Sequence, residues 1–262
     1  MSSQGEDVCK TITAGKLLRQ RIEAGGFILA PAVHDGFSAR IALEVGFDVL
    51  YMTGAGVTAS VHGCADLGIA TLNDMRRSAE MIASLSPFTP VIADADTGYG
   101  GPIMVARTVE QYSRSGVGAL HIEDQVQTER CGHLAGKVLV DLKEYLAPDA
   151  AFPEGLRSVE EARRMIADLA PWPVLLNMVE NSVTPKISAK EAKGLGFSMM
   201  IVPLATLAPA YTAIKAGPQK LKETGLADTE LTPQDLFRVC GLDESMKIDE
   251  EAGASNFEGG VD

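Results

Sequence analysis

The sequence predicts an α/β fold, a (β/α)8 TIM-type barrel lacking about one βα unit around residues 145–150. Three observations predict it. Short apolar, β-rich runs that end in small or polar residues recur along the chain. Segments with helical spacing and recognisable caps separate them, which is the pattern of a parallel sheet. Carboxylates stand at the ends of two neighbouring runs, the end of the strands where barrels assemble their sites. With 262 residues and 46% hydrophobic content the chain can bury one substantial core. The expected organisation is a single barrel domain with a C-terminal helix over residues 1–253, followed by a flexible tail at 254–262.

In chain order, a helix over Lys16 to Ile22 precedes the first strand and is placed to plug the barrel bottom. The predicted strands are Phe27 to Ala32, Val49 to Thr53, Val91 to Ala95, Ala119 to Glu123, Val174 to Asn177 and Met199 to Pro203, with a weaker candidate around Phe152. Among the helices, Ser38 to Val45 stops at Gly46 and Met104 to Ser115 stops at Gly116, where glycine takes the left-handed cap conformation. Ser158 with Glu161, and Ser188 with Glu191, have capping-box spacing. Thr232-Pro233-Gln234-Asp235 opens a last helix with proline at its first position. A closed barrel needs eight strands, and at most seven are present. After the run ending at Glu123 comes a polar loop to about Lys137, a short segment to Tyr145, and then Ala147-Pro148-Asp149-Ala150, with no room for another complete βα unit.

The formal charge of −12 and few aromatic residues argue against a nucleic-acid surface, which needs clustered cations. No uninterrupted apolar stretch of ~18 residues suggests a membrane span, and the first residues have no basic region leading into an apolar run, so a soluble cytoplasmic protein is expected. Cys9, Cys64, Cys131 and Cys240 form no CxxC pair, which suggests neither a zinc knuckle nor a disulfide framework.

The strongest chemical signal is Asp94-Ala95-Asp96-Thr97-Gly98-Tyr99-Gly100 at the end of an apolar strand. Strand alternation puts Asp94 and Asp96 on one side. Two carboxylates this close repel unless a cation, a proton or a basic group intervenes, so a hard divalent ion is a natural resident; an alternative is a pair of solvated turn aspartates. The next strand ends His121-Ile122-Glu123-Asp124-Gln125, and three carboxylates from adjacent strand ends suit magnesium, which prefers oxygen ligands. Glu123 alone could equally cap a helix or pair with a lysine. Farther on, Glu129-Arg130-Cys131-Gly132-His133 sets a thiol between an arginine and a histidine, and adjacent cations lower a thiol pKa. That fits a cysteine that exchanges protons in turnover, on a loop whose glycines let it open and close.

Together these residues resemble the isocitrate lyase and phosphoenolpyruvate mutase superfamily, with similarity from about Thr13 to about Gly253. Tyr51-Met52-Thr53-Gly54-Ala55-Gly56 resembles its substrate-carboxylate loop, Asp94 to Gly100 its metal motif, and Arg130-Cys131-Gly132-His133 the catalytic loop of its lyase branch. Phe152-Pro153-Glu154 resembles the end of its sixth strand, and Leu176-Asn177 with Glu180 and Thr184-Pro185 its seventh strand and loop. The resemblance implies a carbon-carbon lyase of a small dicarboxylate that uses magnesium, or manganese in its place. The amides of Thr53, Gly54 and Ala55 would hold a carboxylate, with Tyr51, Gly132, Glu154 and Asn177 also meeting substrate. Asp94 would bind the metal directly, Asp96 and Glu123 its waters. Cys131, with His133 beside it, would protonate the leaving fragment. The resemblance further implies a homotetramer in which C-terminal helices pack across subunits, an element that Thr232 to Gly241 resembles.

Three departures from the family pattern shape the substrate expectation. The arginine that methylisocitrate-cleaving members place after the eighth strand has no counterpart in Leu204-Ala205-Thr206-Leu207-Ala208-Pro209, so a tricarboxylate is disfavoured. Pro203 stands where oxaloacetate-hydrolysing members carry serine, which favours an alkyl-substituted malate over oxaloacetate. The family's fifth-strand Ala-Arg-Thr-Asp motif, whose arginine clamps substrate, has no match, and roughly 40 residues are absent between Tyr145 and Ala150, about one βα unit plus part of a helix. A truncated form with reduced or no activity follows as an expectation, and an inactive member that binds a diacid or joins an oligomer is the rival from another class.

Overall fold

In a computed structural model, residues 13–127, 138–140, 149–227 and 229–252 are described. Six parallel strands, β1 (Ile28–Val33), β2 (Leu50–Met52), β3 (Val91–Asp94), β4 (Ala119–His121), β5 (Leu175–Asn177) and β6 (Met199–Val202), form one sheet in the order β4-β3-β2-β1-β6-β5. The first strand therefore pairs with the last, Ile28 opposite Met199, as in a barrel seam. Beyond β5 the weak candidate around Phe152 contributes one parallel bridge, Ala151 to Val174, rather than a strand. Between His121 and Ala151 the described residues hold only the antiparallel bridge of Gln125 to Leu139. Among the described residues the result is a curled partial barrel, with no strand pairing beyond β4.

Alternation assigns the two faces. Ala30, Ala32, Tyr51, Ile92, Leu175, Met199 and Ile201 pack into one cluster inside the curl. The intervening Leu50, Met52, Val91 and Ala93 face helices on one flank, and Leu176 and Met200 face those on the other. Helix α1 (Ala14–Glu23) plugs the bottom through Leu18, which joins the inner cluster as its position in the chain predicts. Around the sheet lie α2 (Gly36–Glu44), the short α3 (Gly54–Val57) continued by a π turn at Thr58–His62, α4 (Leu72–Ser84), α5 (Pro102–Arg114), α6 (Val159–Leu169) and α7 (Ala189–Leu195).

Besides the short α3, three helices stand beyond the sequence-based assignment. Helix α4 starts at a capping box of Thr71 with Asp74 and buries Met75, Ala79 and Ile82 on one face. Helix α8 (Leu207–Thr224) runs for 18 residues, and α10 (Leu242–Glu251) follows α9 (Pro233–Val239), the helix opened by Thr232-Pro233. None of these last three buries a residue. Every strand reads a residue or two differently from the sequence expectation; β4 ends at His121 and β3 at Asp94, since the chain turns as soon as it reaches the polar rim. The tail at 253–262 lies outside the described residues.

Candidate active site

The candidate site forms where β2, β3 and β4 end. Asp94 is the last residue of β3, shares the inward parity of Ile92, and stands in register with His121 on β4. Asp96 reaches the same place by another route than alternation: the strand has already ended, and Asp96 takes a left-handed turn conformation with φ 45°. Gly98, at φ 84°, continues that turn, and its carbonyl accepts a hydrogen bond from the buried Thr108 hydroxyl at 3.0 Å. Both aspartates are about nine-tenths buried, at 9% and 8% exposure.

Gly54 marks how close they stand. A Cβ added there would lie 2.7 Å from Asp94 Oδ2 and 3.0 Å from Asp96 Oδ1, so the two carboxylates converge on one small space that only a glycine leaves open. The Asp94 carboxylate meets four groups: Gly54 N–H donates at 2.9 Å and the Tyr51 hydroxyl at 3.3 Å to Oδ2, while Asp96 N–H donates at 3.1 Å to Oδ1 and His121 Nε2 lies 3.4 Å from it. Three of these four groups donate hydrogen bonds to it. Glu123 is tied in through its backbone, which donates to the Asp96 carbonyl at 2.7 Å, and its side chain accepts from the Gln125 amide. Among the described residues no group of three or more histidine, cysteine, aspartate or glutamate side chains has metal-binding spacing. The three expected carboxylates are thus brought to one rim, two of them converging and the third held alongside.

Tyr51 is the hub. Its hydroxyl lies 2.9 Å from His121 Nε2, and the two rings are 5.6 Å apart. Burial, then the Asp94 carboxylate with its hydrogen bond, then Glu123 and Glu154 hold its phenol well above the ordinary tyrosine range. Carboxylates from three different segments therefore bear on one buried hydroxyl. Burial and the neighbouring Asp96 raise Tyr99 likewise, and burial raises Tyr112, whose hydroxyl donates to the Asp94 carbonyl at 2.7 Å. This donor set, rich in oxygen and carboxylate, is the kind a hard divalent cation takes.

On the opposite rim Asn177, at the end of β5, donates through Nδ2 to Glu154 Oε1 at 3.1 Å, which brings together two residues expected separately to meet substrate. Asn177 Oδ1 is buried and has no hydrogen-bond partner among the described residues. The Phe152 ring stands edge-on to His121 at 5.1 Å and connects this rim to the aspartates.

The carboxylate loop differs from expectation. Thr53 N–H is engaged by the Val33 carbonyl at 3.1 Å, and Gly54 N–H by Asp94, so the carboxylate held at the first turn of α3 is the protein's own. Ala55 is the next amide of that turn. Cys131, Gly132 and His133 lie outside the described residues. Sequence reading placed His121 next to the acids without giving it a part; its parity with Asp94 was the signal, because parallel neighbours in register point the same way.

Residues 18–147 match the family described as phosphoenolpyruvate phosphomutase. The 2,3-dimethylmalate lyase of Eubacterium barkeri is 30% identical, across 90% of this chain and 97% of that one. Its alignment is 282 positions long against a chain of 262 residues, and so passes over positions with no counterpart here. A crystal structure of a 2,3-dimethylmalate lyase, described as a PEP mutase/isocitrate lyase superfamily member, matches with 55% identity and a TM-score of 0.93, covering 96% of this chain and 99% of that one. An oxaloacetate acetylhydrolase in complex with 3,3-difluorooxalacetate matches with 46% identity and a TM-score of 0.91, covering 94% and 99%.

Proposed function

Because the chain belongs to the isocitrate lyase and phosphoenolpyruvate mutase superfamily, we propose that this carbon-carbon lyase acts on a small 2-hydroxy diacid of the alkyl-substituted malate type, releasing a 2-keto acid and a carboxylic acid. The observation that carries the reading is the convergence of Asp94 and Asp96 on the space above Gly54, beside Tyr51 and at the C-terminal ends of parallel strands. Asp94 would hold magnesium, or manganese, with Asp96 and Glu123 holding its waters. When bound, the metal supplies Lewis-acid stabilisation of the negative charge on the substrate's 2-oxygen and adjacent carboxylate.

The chain's own residues do the rest. Tyr51, protonated throughout the neutral range, donates rather than accepts and orients the Asp94 carboxylate. Asn177 Oδ1 offers a buried acceptor to a donor on the diacid, and Ala55 N–H a donor to one of its carboxylates. As a base takes the hydroxyl proton and the C2–C3 bond breaks, the bonding pair of C2–C3 passes to the second fragment as an enediolate. Cys131, flanked by His133, is the proposed proton donor that makes it a free acid, and Gly132 a substrate contact. A homotetramer is part of this reading, supported by the apolar Tyr211, Ile214, Leu236 and Phe237 that the C-terminal helices leave exposed.

Oxaloacetate hydrolysis is the second reading, favoured by the 46% identity to the acetylhydrolase and opposed by Pro203. The deciding measurement is release of 2-keto acid from 2,3-dimethylmalate against release of oxalate from oxaloacetate, each with and without magnesium. Loss of magnesium-dependent keto-acid release in Cys131→Ser is expected. A chain that binds diacid and releases neither product is the inactive member.

A further inference from the structure

A molecule of formal charge −12 repels a dianion at long range, so a diacid substrate needs a local cation on its way in. A cavity of about 400 Å³ opens beside Asp96, walled by Thr71, Asn73, Thr97, Gln127 and Arg107. Arg107 sits on α5 one turn after Met104, on the face turned to this cavity. The other arginine of that helix facing an acid, Arg114, is paired with Glu110 at 2.6 Å, and Arg76 on α4 with Glu80 at 2.6 Å. Arg107 has no ion pair among the described residues. The positive end of α4 is already answered by Asp74, whose carboxylate accepts from Thr71 N–H at 2.9 Å and from its hydroxyl at 2.6 Å. Among the described residues Arg107 is thus the cation left to meet an anion in this cavity, with hydroxyl and amide groups around it.

We propose that the cavity is a reception site for small dicarboxylates, with Arg107 as the group that draws them toward the barrel interior. The inference rests on the diacid substrate proposed above. Its test compares the full chain with Arg107→Ala, Arg107→Glu and Arg107→Lys at about 20 mM and about 300 mM salt, below and above the screening range of physiological solution. At low salt, kcat/KM for 2,3-dimethylmalate should fall about fivefold in Arg107→Ala and further in Arg107→Glu, with kcat within about twofold and Arg107→Lys close to the parent. At high salt the differences should shrink. Calorimetric titration with oxalate, which needs no turnover, should show the same order and the same salt dependence. If the parent turns over no diacid, the function proposed above falls while the oxalate titration still decides this one. Variants equal to the parent at low salt in both measurements, or losses that persist undiminished at high salt, overturn the proposal.

Discussion

Gly54 shows how a missing methyl group shapes this site. An alanine there would place its Cβ 2.7 Å from Asp94 Oδ2 and force the two aspartates apart, although the first position of a helix tolerates alanine well. Gly54→Ala is therefore expected to weaken magnesium binding at least about tenfold while leaving the circular dichroism spectrum and melting temperature near the parent's; these magnitudes follow from losing one well-placed ligand contact. Calorimetric titration with magnesium checks it. Tyr51 gives a pH prediction. Its folded phenol titrates above the unfolded value, so its contribution to stability is complete below about pH 10 and is lost as the pH rises beyond it, where only the unfolded chain ionises. Tyr51→Phe should flatten the alkaline limb of stability measured by urea unfolding between pH 9 and pH 11, about the range around the unfolded pKa. At this scale the acids were legible in the sequence, since Asp94-Ala95-Asp96 and Glu123 stand at strand ends. What the sequence hid was which hydrogen bonds they would take. The engagement of Gly54 N–H by Asp94, and the place of His121 beside both, depend on the register between β2, β3 and β4, which no single segment reveals.

Helix α4 bears on the cavity through its start. Thr71 and Asp74 cap it reciprocally, and the Thr71 bonds hold the Asp74 carboxyl below the usual carboxylate range. Thr71→Ala should cost about 1 kcal/mol and lower the melting temperature by roughly 2–4 °C. The contribution of Asp74 is present above its ordinary pKa and lost as the pH falls through the depressed folded value, so part of the acid limb should vanish with Thr71. Thermal melts at neutral pH and near pH 3, about the carboxylate range, test both. The strands were legible because each is an apolar run closed by a polar rim, and all six appear within a residue or two of their expected places. Helices α8 and α10 were less so. Their apolar residues are not gathered on a face buried by this chain, so the periodic signal that reveals an amphipathic helix is weak.

For the molecule as a whole, the dominant feature is that no further strand joins the sheet between β4 and Ala151 among the described residues. All three residues of β4 are only partly buried, whereas β2, β3 and β5 are buried throughout. A strand flanking an opening loses both packing and ladder partners. Inserting a βα unit of about 40 residues between Tyr145 and Ala150, the length such a unit requires, is expected to raise both melting temperature and turnover. Scanning calorimetry and a keto-acid assay on the two chains side by side check this; equal values would show that the partial barrel is complete in function. The seam between β1 and β6 has a consequence during synthesis. Ile28 finds its partner Met199 only after some three-quarters of the chain has left the ribosome, so the emerging protein carries the outer edge of its first strand exposed for most of translation. A long interval with an unpaired strand edge follows from that one pairing.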